Sequence, residues 1–368
     1  MRVVDITGFF SSACGGIKTY YREKAARLPA LGVECHFVVP GRHSGREPFG
    51  GGTLHRIAGP RMPVDHNYHL FGDWRGLEDA IAAIAPDVIE IASHAVLPWL
   101  VERALRRAAR RPTLVGFYHA DVPHAYVEPH VRFLPAPLRR RAIAGAWRWV
   151  RARHARYRRT LVASRRIAAD LAARGVPGVT WVGLGVDVDA FRPEAGSPGA
   201  ATVAYVGRLT GEKGFGVLLA AWDEIAHRTG AELVIAGAGP LERRIPVRPD
   251  VRFLGYVGDR AALARILASA AVVVVPGAYE TFSLAAAEAL ACGAPVVCAD
   301  RGAAAELVQE SGAGRTFAAG DPRSLAAAIG DVIGRDRAAA GRAGRAHILA
   351  SFTWPAVCRR ILDAYASA

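Results

Sequence analysis

The chain has 368 residues, 51% hydrophobic and 22% charged, which suits two domains with cores of their own and excludes wholesale disorder. Its formal net charge of +14 rests almost wholly on arginine, since only Lys18, Lys24 and Lys213 are lysines. No apolar run is long enough to span a membrane, and five scattered cysteines without a C-x-x-C exclude a disulfide framework or structural zinc site, which fits a reduced, cytoplasmic protein.

The opening "MRVVDITGFF" reads as a buried first strand; it lacks the basic region and long apolar stretch of a signal peptide. Further strands follow in "CHFVVP", "DVIEIA", "TLVGFYH" and "TLVAS", with helical patterns such as "TYYREKAARLPALG" between them. The series restarts near residue 200 with "TVAYVG", "ELVIAG", "VRFLGY", "VVVVP" and "PVVCA", all read as buried. Continuous apolar runs suit parallel sheets covered on both faces, and the alternation predicts doubly wound, Rossmann-like α/β domains. The Gly-, Pro- and Asp-rich "GVDVDAFRPEAGSPGAAT" marks a linker between Asp187 and Ala201. We therefore expect a first domain at 1–190, a second at 191–350, and a closing helix at 351–368, "WPAVCRRILDAY" included, packed back on the first. Two such domains facing one another leave a cleft at the carboxyl ends of their strands.

From Pro129 to Ala169 the chain carries twelve arginines and no acid. GC-rich coding is the plainest cause of so much arginine. Within "PLRRRAIAGAWRWVRARHARYRR", Ile143, Trp147, Val150, His154 and Tyr157 form a helical apolar stripe. A covering helix with a solvated basic face is the favoured reading, because the strand "TLVAS" follows at once. The alternative is peripheral contact with an anionic membrane, with Trp147 or Trp149 at the interface. The arginines are not interleaved with a stacking aromatic platform, so nucleic acid is not an expected partner.

In "VAYVGRLTGEKGFG" a strand ends at Gly207, a loop carries Arg208 and Lys213, and a helix follows Gly214. Two cations beside a helix N-terminus suit a diphosphate; a solvated surface loop is the plain alternative. "ELVIAGAGP" runs into Gly237, Gly239 and Pro240, a tight turn or the border of a nucleotide. In "YETFSLAAAEALACG", Ser283 is the expected N-cap and Gly293 the C′ residue of a helix over Leu284–Cys292. Its alanines imply close packing, so the lone Glu288 must meet a partner or a ligand. "DVD" at Asp187–Asp189 lies in the linker and reads as turn chemistry. No other metal-ligand cluster stands out, so no metal and no cofactor is expected. His94, His124 and His130 read as ordinary loop or core histidines.

"GRLTGEKG", "VRFLGYV", the pair Glu280 and Glu288 in an E-x7-E, and "GAPVV" closely resemble the donor half of retaining GT-B glycosyltransferases of the family-4 type. "GGIKTYY" resembles that family's first Gly-rich loop and "GVDVDAFRP" its hinge. "DRAALARILASAAVVVVPGAYETFSLAAAEALACG" looks most like GDP-mannose-dependent α-mannosyltransferases. The resemblance implies metal-independent transfer of a sugar from a nucleotide-sugar donor to a lipid, glycan or small-molecule acceptor. A UDP-sugar donor is the alternative, and a non-catalytic polyanion-binding or nucleotide-sugar-binding protein a more remote one. Arg208 and Lys213 would grip the diphosphate, Glu280 the transferred sugar and Glu288 the ribose. Backbone N–H groups of Phe282, Ser283 and Leu284 would face sugar and phosphate. Gly207 and Gly237 would border the donor, and Gly255, Tyr256 and Val257 would lie near the base. Gly15 and Gly16 would let the first domain approach the phosphate, and His119 would approach the sugar. The family often has Gly where Ser283 stands, so a side chain there narrows the donor pocket.

Overall fold

The computed structural model describes residues 1–10, 16–63, 66–92, 97–107, 110–194 and 201–368. They form two compact units, one of Met1–Val182 with Val357–Ala368 and the other of Gly183–Ala356.

The first unit holds an eight-stranded sheet of β1 (Arg2–Ile6), β2 (Glu34–Gly41), β3 (Gly45–Phe49), β4 (Gly52–Ala58), β5 (Val88–Ile91), β6 (Thr113–Phe117), β7 (Arg159–Val162) and β8 (Val179–Trp181). The order is β3-β4-β2-β1-β5-β6-β7-β8; β3 runs antiparallel to β4 and the other neighbours are parallel. Val4, Ile6, Val38, Ile89 and Ile91 pack with Leu77 and Ile81 of the helix Trp74–Ile84 and with Leu97 and Leu100 of the helix Leu97–Ala104. The connections diverge between β1 and β5, so these central strands form the sheet's switch point.

The second unit holds β9 (Thr202–Val206), β10 (Glu232–Ala236), β11 (Val251–Phe253), β12 (Val272–Val275), β13 (Val296–Ala299) and β14 (Gly314–Phe317). All neighbours are parallel in the order β11-β10-β9-β12-β13-β14, the Rossmann order, with its switch point between β9 and β12. The four valines of β12 are buried on both faces, as a central parallel strand requires. Val203, Tyr205, Ile235, Val272 and Val274 share one core with Phe215 and Trp222 of the helix Phe215–Thr229 and with Leu325 and Ile329 of the helix Pro322–Ile333. One expectation is corrected. β11, from "VRFLGY", is not a buried strand: it pairs on one side only and leaves Phe253 and Leu254 exposed.

The closing helix spans Trp354–Ala366. Trp354 lies so close over Gly185 that a Cβ there would sit 2.3 Å from the indole. Further along, the Arg360 Nε–H donates to the Val182 carbonyl at 2.8 Å, and its guanidinium stacks over Trp181 at 4.4 Å.

Candidate functional site

The second unit's switch point brings the loops after β9 and β12 together. Gly214, where the first loop turns into the helix Phe215–Thr229, has φ +69°, and a Cβ there would lie 2.3 Å from the Pro276 carbonyl oxygen beyond β12. Only glycine permits that approach. It sets Lys213 Nζ 2.8 Å from Glu280 Oε1, both partly exposed. Arg208, on the same loop, is largely exposed and pairs with Glu212. The buried Thr210 hydroxyl has no hydrogen-bond partner among the described residues. The loop after β10 lies as tightly on the first: a Cβ on Gly237 would meet the Gly207 carbonyl oxygen at 1.9 Å. The Gly237 N–H donates to the Gly255 carbonyl at 2.8 Å, which ties in the loop after β11, where Tyr256 is exposed and Val257 partly so.

After Glu280 the chain enters the helix Leu284–Ala291. Ser283 is its N-cap, with Oγ accepting from the Ala286 N–H at 3.4 Å, and Gly293 beyond its end has φ +74°. Ser283 itself holds φ +78°, a left-handed conformation that glycine adopts freely and serine does not. Phe282 turns its ring inward against Phe352 at 5.4 Å, so only its backbone is available at the helix start. The first N–H groups of a helix lack intrahelical partners and attract anions. Ala286, Ala287, Ala289 and Ala291 are fully buried. Glu288, among them, has no hydrogen bond among the described residues. Burial pushes its carboxyl up to about 7, with Arg260 pulling it down and Asp187 pushing it up. Arg260 and Asp187 pair at 3.3 Å, and Asp187 Oδ1 accepts from the Ala190 N–H at 3.1 Å.

In chain position Gly207, Arg208, Lys213, Gly237, Gly255, Tyr256, Val257, Glu280, Phe282, Ser283 and Leu284 follow the carboxyl ends of β9 to β12, and Glu288 lies on the helix Leu284–Ala291. His119 and Gly16 belong to the first unit. Gly16 opens the helix Gly16–Arg27, and the His119 imidazole stacks flat on Phe117 with ring centroids 3.9 Å apart. Gly15 and His94 lie outside the described residues.

Sequence reasoning missed Thr210 and Arg260, and it missed a buried charge cluster in the first unit. Asp5, Lys24 and Glu90 have wholly buried side chains. Lys24 Nζ donates to Asp5 Oδ1 at 2.5 Å, to Glu90 Oε2 at 3.4 Å and to the Tyr365 hydroxyl at 2.7 Å. The Tyr20 and Tyr365 hydroxyls donate to Glu90 Oε2 at 3.1 and 2.5 Å. Charged residues inside "RVVDI" and "DVIEI" were the available signal. The idea of tryptophans at a lipid interface is also corrected. On the helix Ala136–His154, Trp147 is buried among Tyr118, Val150, Val162, Ile167 and Leu171, and Trp149 packs against the same cluster, so the apolar stripe serves the protein's own core.

Comparison with known proteins identifies the family and the fold. Residues 14–190 match the family model described as Glycosyltransferase Family 4, and residues 200–335 match Glycosyl transferases group 1. The chain is 30% identical over 374 residues to a GDP-mannose-dependent alpha-(1-6)-phosphatidylinositol dimannoside mannosyltransferase of Mycobacterium tuberculosis, covering 96% of this chain and 93% of that one. It is 30% identical over 380 residues to a GDP-mannose-dependent alpha-mannosyltransferase of Mycolicibacterium smegmatis, covering 99% and 97%. Among solved structures, the sucrose-phosphate synthase of Thermosynechococcus elongatus superposes with a TM-score of 0.80 at 20% identity, covering 99% of this chain and 98% of that one. The Anabaena HepE complex with UDP-glucose superposes with a TM-score of 0.73 at 17% identity, covering 100% of both. With the Rossmann-type units, the Gly-tight loops and the paired glutamates in place, the chain belongs to the family-4, group 1 glycosyltransferases and is a glycosyltransferase of the GT-B fold.

Proposed function

We propose that this glycosyltransferase moves mannose from GDP-mannose to its acceptor, with retention of anomeric configuration and without a metal ion. The observation that carries this reading is the switch-point arrangement. Lys213 and Glu280 stand 2.8 Å apart beside a helix N-terminus, and an unbonded Glu288 lies further along the same helix. The donor is supported by the names of two relatives at 30% identity over nearly the whole chain.

In this mechanism the C1–O bond to the diphosphate breaks, and a C1–O bond to the acceptor hydroxyl forms on the same face. The acceptor's proton passes to the departing phosphate oxygen, and GDP leaves. Arg208, Lys213 and the helix N-terminus stabilise the charge that develops on GDP, the task a divalent ion would otherwise perform. Glu280 exchanges its Lys213 contact for hydroxyls of the sugar. Glu288, ionised, accepts from the ribose hydroxyls. The Phe282, Ser283 and Leu284 N–H groups attend sugar and phosphate, and Gly255 to Val257 attend the base. His119, Gly15 and Gly16 take part by family resemblance alone.

A thermal-shift panel of GDP, UDP, ADP and their sugars tests the donor. Stabilisation by GDP and GDP-mannose, diminished in Glu288→Ala, is expected; stabilisation by UDP alone would replace the donor.

A second reading concerns the acceptor side. Phe133 is 79% exposed and Leu138 48%, flanked by Arg132, Arg139, Arg140 and Arg141, a composition suited to an anionic membrane surface. Liposomes with anionic lipid at low salt should pellet the protein, and failure to do so ends this reading.

A further inference from the structure

Asp5 and Glu90 are register partners on the adjacent parallel strands β1 and β5. Lys24 is the cation that both contact. Two buried carboxylates sharing one ammonium would leave a net negative charge in a dry interior, at high cost. Each also has one buried oxygen, Asp5 Oδ2 and Glu90 Oε1, without a hydrogen-bond partner among the described residues. A single proton resolves both problems. Held on Asp5, it would serve the hydrogen bond between the two carboxyls, while Asp5 Oδ1 still accepts from Lys24. Burial drives the Asp5 carboxyl well above its usual range against the pull of Lys24. Burial also opposes ionisation of Glu90, but Lys24, Asp5 and Tyr365 hold its carboxyl below the usual range. The cluster is then neutral, with Glu90 its one fixed anion.

Glu90 Oε2 accepts from three directions: Lys24 and Tyr20 of the helix Gly16–Arg27, and Tyr365 of the closing helix. The Tyr20 ring, anchored by that bond, stands edge-on to the His119 imidazole, with centroids 5.5 Å apart and planes at 70°. Phe117 closes the other contact by flat stacking on the same imidazole. His119 also lies near enough to Glu90 to act on its charge.

We infer that Glu90 is a positioning residue for the transfer reaction: held by Lys24, Tyr365 and Asp5, it fixes Tyr20 and, through the Tyr20 ring, the imidazole of His119. This rests on the reading that His119 attends the sugar. Tyr20→Phe removes only the hydroxyl that reaches Glu90, and Glu90→Gln removes the charge while keeping the shape. The rate is read as GDP released from GDP-mannose with water as acceptor, and GDP affinity by calorimetry. Tyr20→Phe should lower kcat about tenfold, with GDP affinity unchanged, because a small misplacement near the reacting atoms is costly. Glu90→Gln should lower it further; if that variant does not fold, Tyr20→Phe alone decides. In a His119→Ala background either change should alter kcat less than about twofold, since coupled residues are not additive. An undiminished kcat in folded Tyr20→Phe, with His119→Ala impaired, overturns this inference alone. The same loss of rate in both backgrounds also overturns it, because a merely structural cluster would behave so. Full activity of His119→Ala would sink the reading of His119 and this inference together.

Discussion

Each unit places charges at the switch point of its sheet, and the two sets are opposite in character. In the first, Asp5 and Glu90 sit within β1 and β5, wholly buried, and Lys24, Tyr20 and Tyr365 close around them. In the second, Lys213 and Glu280 sit on the loops beyond β9 and β12, partly open to solvent, while Glu288 and the Thr210 hydroxyl lack hydrogen bonds among the described residues. A buried polar network whose members satisfy one another specifies structure. A carboxyl left unbonded where burial opposes its charge is suited to a ligand that brings the missing donors. The first set closes on itself once Asp5 and Glu90 share a proton, whereas Glu288 and the Thr210 hydroxyl have no such internal partner among the described residues.

The largest way to break the comparison is to remove the first unit's cation. Lys24→Met leaves two carboxyls in a dry interior and should cost about 3–5 kcal/mol of stability. Urea denaturation of the whole chain measures it. A loss under about 1 kcal/mol would mean the carboxyls do not depend on Lys24, and the contrast would collapse.

Glu288 should behave in the reverse sense. Its folded carboxyl titrates at about 7, above the ordinary 4.5, so its proton contributes stability in full below the ordinary value. That contribution fades as pH rises through 7. At pH 8 the empty protein should lose about 3 kcal/mol of it at most, and Glu288→Gln should escape this loss. Unfolding at pH 5 and pH 8 in both forms checks the sign; parallel losses in the two forms would contradict it. Smaller still is the binding effect. Glu288→Ala should weaken GDP at least about tenfold, as loss of charge-assisted hydrogen bonds implies, without destabilising the empty protein. Calorimetry with GDP, beside a melting curve, separates the two.

The same contrast explains what was legible in the sequence. Apolar runs disclosed the central strands, from "RVVDI" to "PVVCA", because a parallel strand buried on both faces has no polar alternation to hide it. β3, "GREPF", escaped because it is an exposed edge with a proline, and β8, "VTW", because it is three half-buried residues. Glu288 stood out as a lone charge in an alanine helix, and its neighbour Glu280 is eight residues away, so one short stretch carried both. Asp5, Lys24 and Glu90 were equally out of pattern. Their partners lie 19, 66 and 341 positions apart, and no local spacing encodes such a meeting. Arg260 beside Glu288 was hidden for the same reason.

The smallest effect concerns Ser283, where two demands of the site conflict. Its backbone occupies the left-handed region at φ +78°, which costs a non-glycine residue roughly 1 kcal/mol, while its hydroxyl caps the helix Leu284–Ala291. Replacing a serine cap by glycine costs only a few tenths of a kcal/mol, but replacing it by alanine costs about 1 kcal/mol. Ser283→Gly should therefore stabilise the protein by about 0.5 kcal/mol, and Ser283→Ala, which keeps the strain and loses the cap, should destabilise it by about 1 kcal/mol. The hydroxyl faces the Ala286 N–H inside the helix start, so the glycine variant should bind GDP as the parent does. Tighter GDP binding in Ser283→Gly would mean instead that the side chain narrows the donor pocket, and that the strain is maintained for selectivity and not for the cap.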